Sequence, residues 1–194
     1  MAQSPDPDRA AVVLAGTTAD IDVLDRASAS ADPVLRILSL GARQRAGLLD
    51  DADLQAALAD DDRDVRCRAI ELAIGSAIDL VPALEDSDDL VVETAAWALG
   101  ERESDDARTV AALRRVGADH AVGICREAAI AALGAIGHPD GLPTILGGLD
   151  DKPPVRRRAV LALAPFDGPE VTAALERALE DRDRQVRQAA EDLL

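Results

Sequence analysis

The sequence predicts an all-α protein: a right-handed α-α superhelix of about five to six stacked helical hairpins. The apolar residues of the 194-residue chain are almost all Ala, Leu, Val and Ile, with one Trp, one Phe and no Tyr. Ala and Leu favour helices, whereas strands favour aromatic and β-branched residues. In addition, a short pattern recurs at intervals of 26 to 34 residues, and its apolar residues have helical rather than alternating spacing.

The recurring pattern starts with an anchor, which is a β-branched residue or Cys, followed four positions later by Ala and usually by a late Leu. Five clear copies have their anchors at Val65, Val91, Cys125, Val155 and Val186, and a weaker copy starts at Val34. The anchor and the positions four and eight residues beyond it lie on one helical face. We therefore expect a helix at each copy, named here the second helix of its hairpin, over residues 33–42, 63–75, 89–100, 123–136, 154–164 and 184–194.

Acidic turns precede most anchors, as in ADDDRD before Val65 and EDRDRQ before Val186. An Asp side chain accepts hydrogen bonds from the free amides of a first helical turn, so these runs are expected to end one helix and cap the next. Ahead of each turn lies another apolar stretch, such as DADLQAALA at 51–59 or SAIDLVPAL at 76–84. Each repeat is thus predicted to be a helical hairpin. We expect one solenoid over residues 9–194, after a disordered tip at residues 1–8.

A turn Asp followed by V-R-x-x-A-x-x-x-L resembles the HEAT repeat of the phycobilisome-lyase type, over about residues 30–194. The resemblance implies an armadillo-like solenoid in which the Arg after each anchor and the Asp of each turn form a polar ladder between stacked repeats. The predicted ladder residues are Asp60, Arg66, Asp86, Arg126, Asp150, Arg156, Asp181 and Arg187. Val92 and His120 depart from the pattern, so we expect the ladder to be interrupted there.

The resemblance also implies that the second helices line a concave surface. Positions two and six after the anchor point away from the buried stripe, and they predict a recognition strip of Glu71, Glu93, Trp97, Glu127, Arg157 and Leu161. The sequence leaves two interpretations of Trp97 open: an interface anchor, or a filler between repeats of unequal length. At the last repeat, Val186, Ala190 and Leu193 are expected either to form an uncapped apolar edge for a partner or a second copy, or to fray.

Charge and cysteine content restrict the partners. The 37 acidic against 21 basic residues give a net charge of −16, which repels phosphate backbones, so no nucleic-acid partner is expected. Two distant cysteines without a CxxC spacing indicate neither a disulfide framework nor a zinc site. With no basic leader and no long apolar run, we expect a cytoplasmic protein without a membrane partner. The expected partner is a protein or peptide, and the acidic strip favours a basic one.

No catalytic motif is found. The only histidines, His120 and His138, lie outside any HExxH pattern, and neither a glycine-rich phosphate loop nor G-x-S-x-G occurs. We therefore expect no enzyme activity, no metal and no cofactor, and predict a non-catalytic scaffold or adaptor that binds its partner along the concave surface. Two alternatives stay open: a subunit of a bilin-type chromophore lyase, which the resemblance implies, and an accessory subunit that docks end-on in a larger signalling or assembly complex.

Overall fold

The computed structural model describes residues 6–194, and within them every regular element is helical, which confirms the all-α fold class. The α-helices of these residues are α1 Arg9–Thr18, α2 Ile21–Ser28, α3 Pro33–Ala46, α4 Asp51–Leu58, α5 Arg63–Ala73, α6 Asp89–Glu101, α7 Ala107–Asp119, α8 Gly123–Ile136, α9 Leu142–Gly148, α10 Pro153–Ala162, α11 Pro169–Ala178 and α12 Arg184–Glu191. Two short 3₁₀ helices cover Val81–Glu85 and Pro139–Gly141.

Contacts divide the chain into two compact units, with the boundary between Ile78 and Asp79. That the repeats form one continuous solenoid stays a prediction. Of the predicted N-terminal tip, residues 1–5 lie outside the described residues. Pro7 is buried, and the Asp8 side chain accepts a hydrogen bond from the Ala11 amide at 2.7 Å as the cap of α1. Residues 7 and 8 therefore take part in the first unit.

The second helices start where the acidic turns end. Asp32, Asp62, Asp88 and Asp183 cap α3, α5, α6 and α12 by accepting hydrogen bonds from first-turn amides. Neither α8 nor α10 has such a cap, but Pro153 at the first position of α10 lacks an amide that would need one. In all six second helices the buried anchor is the third residue after the capping position. For α3 that residue is Leu35, which is 5% exposed, and not the expected Val34, which is 37% exposed.

The first unit packs α1 and α2 against α3, and α4 against α5, with further contact between α3 and α5. Its core has two clusters of buried apolar residues. One contains Val12, Leu24 and Leu35; the other contains Val65 and Ala69, with Ile37 packed against it. Leu35 and Val65, the anchors of two successive repeats, are thus both core residues.

The second unit repeats the hairpin arrangement. The second helices α6, α8, α10 and α12 pack each against the next, and α7, α9 and α11 pack on the second helices that follow them. The repeat of α6 differs, because the stretch SAIDLVPAL forms no α-helix, contrary to our expectation. Only Val81–Glu85 is helical there, in a 3₁₀ conformation, with Leu84 buried. Pro82 lacks an amide donor and disfavours an α-helix through this segment, which accounts for the short 26-residue spacing between Val65 and Val91.

Candidate functional site

Three arginines connect successive repeats through paired hydrogen bonds. The Nε and Nη2 of Arg126, in α8, donate to the two carboxylate oxygens of Asp151 at 2.6 and 2.8 Å, in the turn before α10. Arg156 binds Asp181 at 2.8 and 2.7 Å in the same way. In the first unit, Arg36 binds Asp60 with two bonds of 2.8 Å. Each pair is a rung of the polar ladder, with the planar guanidinium matched to a carboxylate.

The third nitrogen of each ladder arginine binds the turn ahead of its own helix. Arg126 Nη1 donates to the His120 carbonyl at 2.6 Å, and Arg156 Nη1 donates to the Asp151 carbonyl at 2.8 Å. Arg66 and Arg187 make the same bond, to the carbonyls of Asp60 at 2.8 Å and of Asp181 at 2.7 Å. One guanidinium therefore fixes its own turn and, in each complete rung, the turn of the next repeat.

Burial makes these rungs electrostatically strong. The side chains of Arg156 and Asp181 are only 7% and 16% exposed. The hydrogen bond from Arg156 holds the pKa of the Asp181 carboxyl below its ordinary value, and the bond from Arg126 does the same for the pKa of Asp151. The pKa of Arg156 is raised in turn by its bond to Asp181. Both partners are therefore charged at neutral pH.

The complete rungs contain two residues that the sequence did not predict, Asp151 and Arg36. Asp151, and not Asp150, accepts the bonds of Arg126, so the prediction of Asp150, which is exposed, is wrong by one position. The reason is a shorter turn: Asp151 directly precedes the capping Lys152 and accepts its amide at 2.6 Å. By contrast, Asp60, Asp86 and Asp181 stand two residues before the cap and accept the cap amide from there. Arg36 was missed because its anchor was placed at Val34.

The ladder lacks both of its usual residues between α6 and α8. Val92, at the arginine position, is 1% exposed. His120, at the turn position, accepts a hydrogen bond on Nδ1 from the amide of the capping residue Val122 at 3.2 Å. The turn carboxylates of other repeats accept the amides of their capping residues in the same way. Beside it, the Cys125 thiol donates to the Asp89 carbonyl at 3.3 Å. Burial, followed by the negative charges of Asp89 and Glu93, raises the pKa of the Cys125 thiol to about 11.

A groove of about 410 Å³ lies between α6 and α8 in the second unit. Small residues form much of its lining, called here the floor: Gly100, Ala128, Ala131, Ala132 and the exposed Ala135. Trp97 and Ile124 line it with side chains that are 46% and 47% exposed. Glu93, Glu101, Glu127 and Arg158 complete the lining. The groove is thus apolar in its interior, with mainly acidic groups at its rim.

Three of the six residues of the predicted recognition strip meet in this groove: Glu93, Trp97 and Glu127. Leu161, on α10, is 37% exposed, but neither it nor Arg157 is among the lining residues. Arg158, three residues after the anchor of α10, takes the place expected for Arg157. It faces α8, where the Arg158 Nε lies 3.5 Å from Glu127 Oε1. Glu71 belongs to the first unit and accepts a hydrogen bond from Arg68 at 2.7 Å. The groove therefore contains only part of the strip.

Several lining residues were not predicted from the sequence. Ile124, Glu101, Ala128, Ala132 and Ala135 lie outside positions two and six, whereas Ala131 is at position six. One signal could have identified Ile124. It lies one residue before the anchor, outside the buried apolar face of the helix, so its large apolar side chain is expected on the surface. Trp97 is half exposed beside the groove, which favours the interpretation as an interface anchor over that of a gap filler.

The apolar edge expected at the last repeat is not open as predicted. Val186 is 1% exposed and Ala190 is fully buried, because α12 packs against α10 and α11. Leu193 is partly buried. The expectation that Val186 and Ala190 offer an exposed surface is therefore wrong, and self-association through this repeat stays a prediction.

Comparison with known proteins agrees with the repeat geometry. Among the described helices, none combines the length and the apolar character that a membrane span requires. A search of curated proteins found no significant match. The family model for HEAT repeats matches residues 51–134 and 124–194, which together include every hairpin from α4 onward and the complete rungs Arg126–Asp151 and Arg156–Asp181. The chain belongs to the HEAT repeat family.

Proposed function

We propose that this HEAT-repeat protein is a non-catalytic scaffold that binds a basic, amphipathic segment of another protein in the groove between α6 and α8. The observation that carries the proposal is the pairing of two half-exposed apolar side chains, Trp97 and Ile124, with a floor of small residues. Large apolar side chains grouped on a surface and rimmed by polar residues are typical of interaction sites.

The shape of the groove supports a partner with protruding apolar side chains. A floor of Gly100 and alanines leaves depth between the helices, so a Leu or Phe side chain of the partner can enter and contact Trp97 on one side. Trp is among the residues most often found at the energetic centre of protein interfaces. Burying the exposed parts of Trp97 and Ile124 supplies the apolar contribution to binding.

The charge of the groove supports a basic partner. Glu93, Glu101 and Glu127 stand at its rim against a single cation, Arg158, which already lies 3.5 Å from Glu127. The whole chain carries a net charge of −16. Long-range attraction therefore speeds the approach of a basic segment, and the rim carboxylates orient it.

A direct test uses a synthetic amphipathic helical peptide of Leu and Lys, labelled with a fluorophore, and a matched peptide with Glu in place of Lys. We expect the Lys peptide to bind saturably and to change the emission of Trp97, which is the only Trp of the chain. The Glu peptide should not bind. Ile124→Ala should weaken binding of the Lys peptide about tenfold, as expected for the loss of one buried anchor.

The control tests whether binding of the Lys peptide depends on the groove or only on the net charge of the protein. Glu93→Lys with Glu101→Lys should weaken binding at least tenfold, whereas Glu170→Lys with Glu180→Lys, which changes the net charge equally at exposed positions outside the groove, should have little effect. Equal weakening in the two double variants, or full binding in Ile124→Ala, would show that the peptide does not use the groove. Circular dichroism of each variant establishes that it is folded.

Two other functions are compatible with the sequence. A bilin-lyase subunit would need a chromophore site, and an end-on accessory subunit would need an exposed apolar end, whereas Val186 and Ala190 are buried. The matched family is HEAT repeats as a whole, and no feature of the groove favours a tetrapyrrole over a peptide. The groove between α6 and α8 therefore supports the scaffold best.

A further inference from the structure

Three side chains of metal-ligand type meet at the place where the ladder is interrupted. Asp89 lies in the first turn of α6, His120 in the turn before α8, and Cys125 in the first turn of α8. One ligand atom from each lies within 4.8 Å of the other two, and His120 Nε2 is 3.9 Å from Asp89 Oδ1. Two successive repeats of the second unit thus direct a carboxylate, an imidazole and a thiol toward one point.

The same place departs from the repeat pattern at three positions. Val92 stands where other repeats have the ladder arginine, His120 where most have the turn Asp, and Cys125 where the others have Val or Leu as the buried anchor. In the neighbouring rung, the positive charge that connects two repeats is the guanidinium of Arg126. Between α6 and α8 no guanidinium occupies the ladder position. A bound cation would supply the missing charge.

The ligand types select the class of cation. Calcium and magnesium take oxygen ligands, whereas thiolate together with imidazole and carboxylate suits zinc and similar divalent transition metals. In a tetrahedral zinc site the ligand atoms are about 3.5 Å apart, given metal–ligand distances of about 2.0 to 2.3 Å. His120 Nε2 and Asp89 Oδ1 are 3.9 Å apart, about 0.4 Å more than this, and the ligand atoms of the cluster all lie within 4.8 Å of one another. Rotations of the three side chains, above all of the exposed Asp89, can bring the ligand atoms to the required spacing.

We propose that Asp89, His120 and Cys125 bind one zinc ion, with water as the fourth ligand, and that this ion connects α6 to α8 where the ladder pair is absent. On binding, the Cys125 thiol releases its proton to solvent and gives up its bond to the Asp89 carbonyl. His120 now accepts the Val122 amide on Nδ1, so its Nε2 carries the proton. Coordination of the ion through Nε2 moves that proton to Nδ1. The protonated Nδ1 can then no longer accept the hydrogen bond from the Val122 amide. One proton leaves for each ion bound.

Cobalt(II) is a suitable probe because a cobalt–thiolate bond gives a charge-transfer absorption that aqueous cobalt lacks. We expect the 194-residue chain to take up one equivalent of cobalt with this band and to release it when zinc is added. Cys125→Val should remove the band and weaken binding at least 100-fold. The variant should fold, since Val is the anchor of four other repeats. Zinc should raise the melting temperature of the parent protein and leave that of Cys125→Val unchanged.

The chain offers matched controls in its other cysteine and its other histidine. Cys67 is buried as well, and His138 also accepts a backbone amide on Nδ1, at 3.2 Å from Asp140. Cys67→Ala and His138→Asn should bind cobalt as the parent does, whereas His120→Asn should not. A parent protein that shows no charge-transfer band with excess cobalt, or a band that survives in Cys125→Val, would overturn the proposal. Neither result bears on peptide binding in the groove.

Discussion

Gly134 of α8 lies directly against Ala162 of α10: a Cβ atom at position 134 would be 2.7 Å from the Ala162 Cα atom. The same relationship recurs one repeat earlier, where a Cβ atom at Gly100 would be 2.9 Å from the Ala132 Cα atom. In both pairs the glycine is nine residues after its anchor and the alanine seven residues after the next. Successive second helices of this unit therefore pack backbone against backbone.

Replacing Gly134 with Ala should destabilise the protein by about 2 kcal/mol, because the new methyl group has to displace a neighbouring backbone in a packed core. Helix propensity alone predicts the opposite sign. The matched control is Gly147→Ala in α9, where no atom beyond its chain neighbours and its own helix backbone lies within 4 Å of the added Cβ, and there we expect a gain of roughly 0.5 to 1 kcal/mol. Urea denaturation measures both. Similar values for the two variants would contradict the close packing.

Breaking one ladder rung should cost more than removing an exposed charge. Asp181→Asn leaves the guanidinium of Arg156, a residue that is 6% exposed, without its counter-charge, and we expect a loss of about 3 kcal/mol in unfolding free energy. Asp167→Asn, at an exposed position, should change stability by less than about 0.5 kcal/mol. If Asp181→Asn were as mild as Asp167→Asn, the rung would contribute nothing to stability.

The ladder should also make stability depend on pH. The pKa values of Asp151 and Asp181 are held below the ordinary value by their arginine partners, whereas in the unfolded chain they return to about 3.9. Their contribution is therefore complete above about pH 5 and is lost as the pH falls through the folded-state values, below about pH 4. Urea denaturation between about pH 6 and pH 3 should show this decline, with a shallower slope for Asp181→Asn than for the parent. Parallel slopes would contradict the assignment.

Restoring the interrupted rung is a test of the repeat register. Val92→Arg alone buries a charge and should destabilise the protein, and His120→Asp alone should have a smaller effect. Together they recreate the Arg–Asp pair of the other rungs, so we expect a favourable coupling energy of about 1 to 3 kcal/mol in a double-mutant cycle. The measurement is made with a metal chelator present, because His120 is a proposed ligand. A coupling energy near zero would show that Val92 and His120 are not equivalent to Arg126 and Asp151.

The features that depend on neighbours in the sequence could be predicted. Helical periodicity and Asp caps are local, so each expected second helix begins within one residue of an observed one. The absence of an α-helix at 76–84 could not be derived from periodicity, since its apolar spacing suits a helix and only Pro82 argues against one. Two ladder positions were predicted one residue too early. The turn before α10 is one residue shorter than the other turns, so Asp151 replaces Asp150, and the anchor of α3 is Leu35 instead of Val34, so its ladder arginine is Arg36.

The binding groove and the candidate metal cluster depend on tertiary contacts. Arg158 rather than Arg157 reaches the groove because of how α10 packs on α8, which no spacing within α10 encodes. Asp89, His120 and Cys125 are separated by 31 and 5 residues, a pattern that matches no metal-binding motif. The departures at Val92, His120 and Cys125 were visible in the sequence, but only the structure brings them to one point.

The distance from each cap to its anchor is three residues in all six second helices, even though the spacing between anchors varies from 26 to 34 residues. The variation in length therefore falls between one anchor and the next cap, and the 3₁₀ segment Val81–Glu85 shows how far the first helix of a hairpin can shrink. A foreign loop or epitope inserted in the first-helix segment of a hairpin would leave the Arg–Asp rungs at the turns intact. The first-helix segments, which lie outside the rungs, are therefore where natural insertions or engineered grafts can be accommodated.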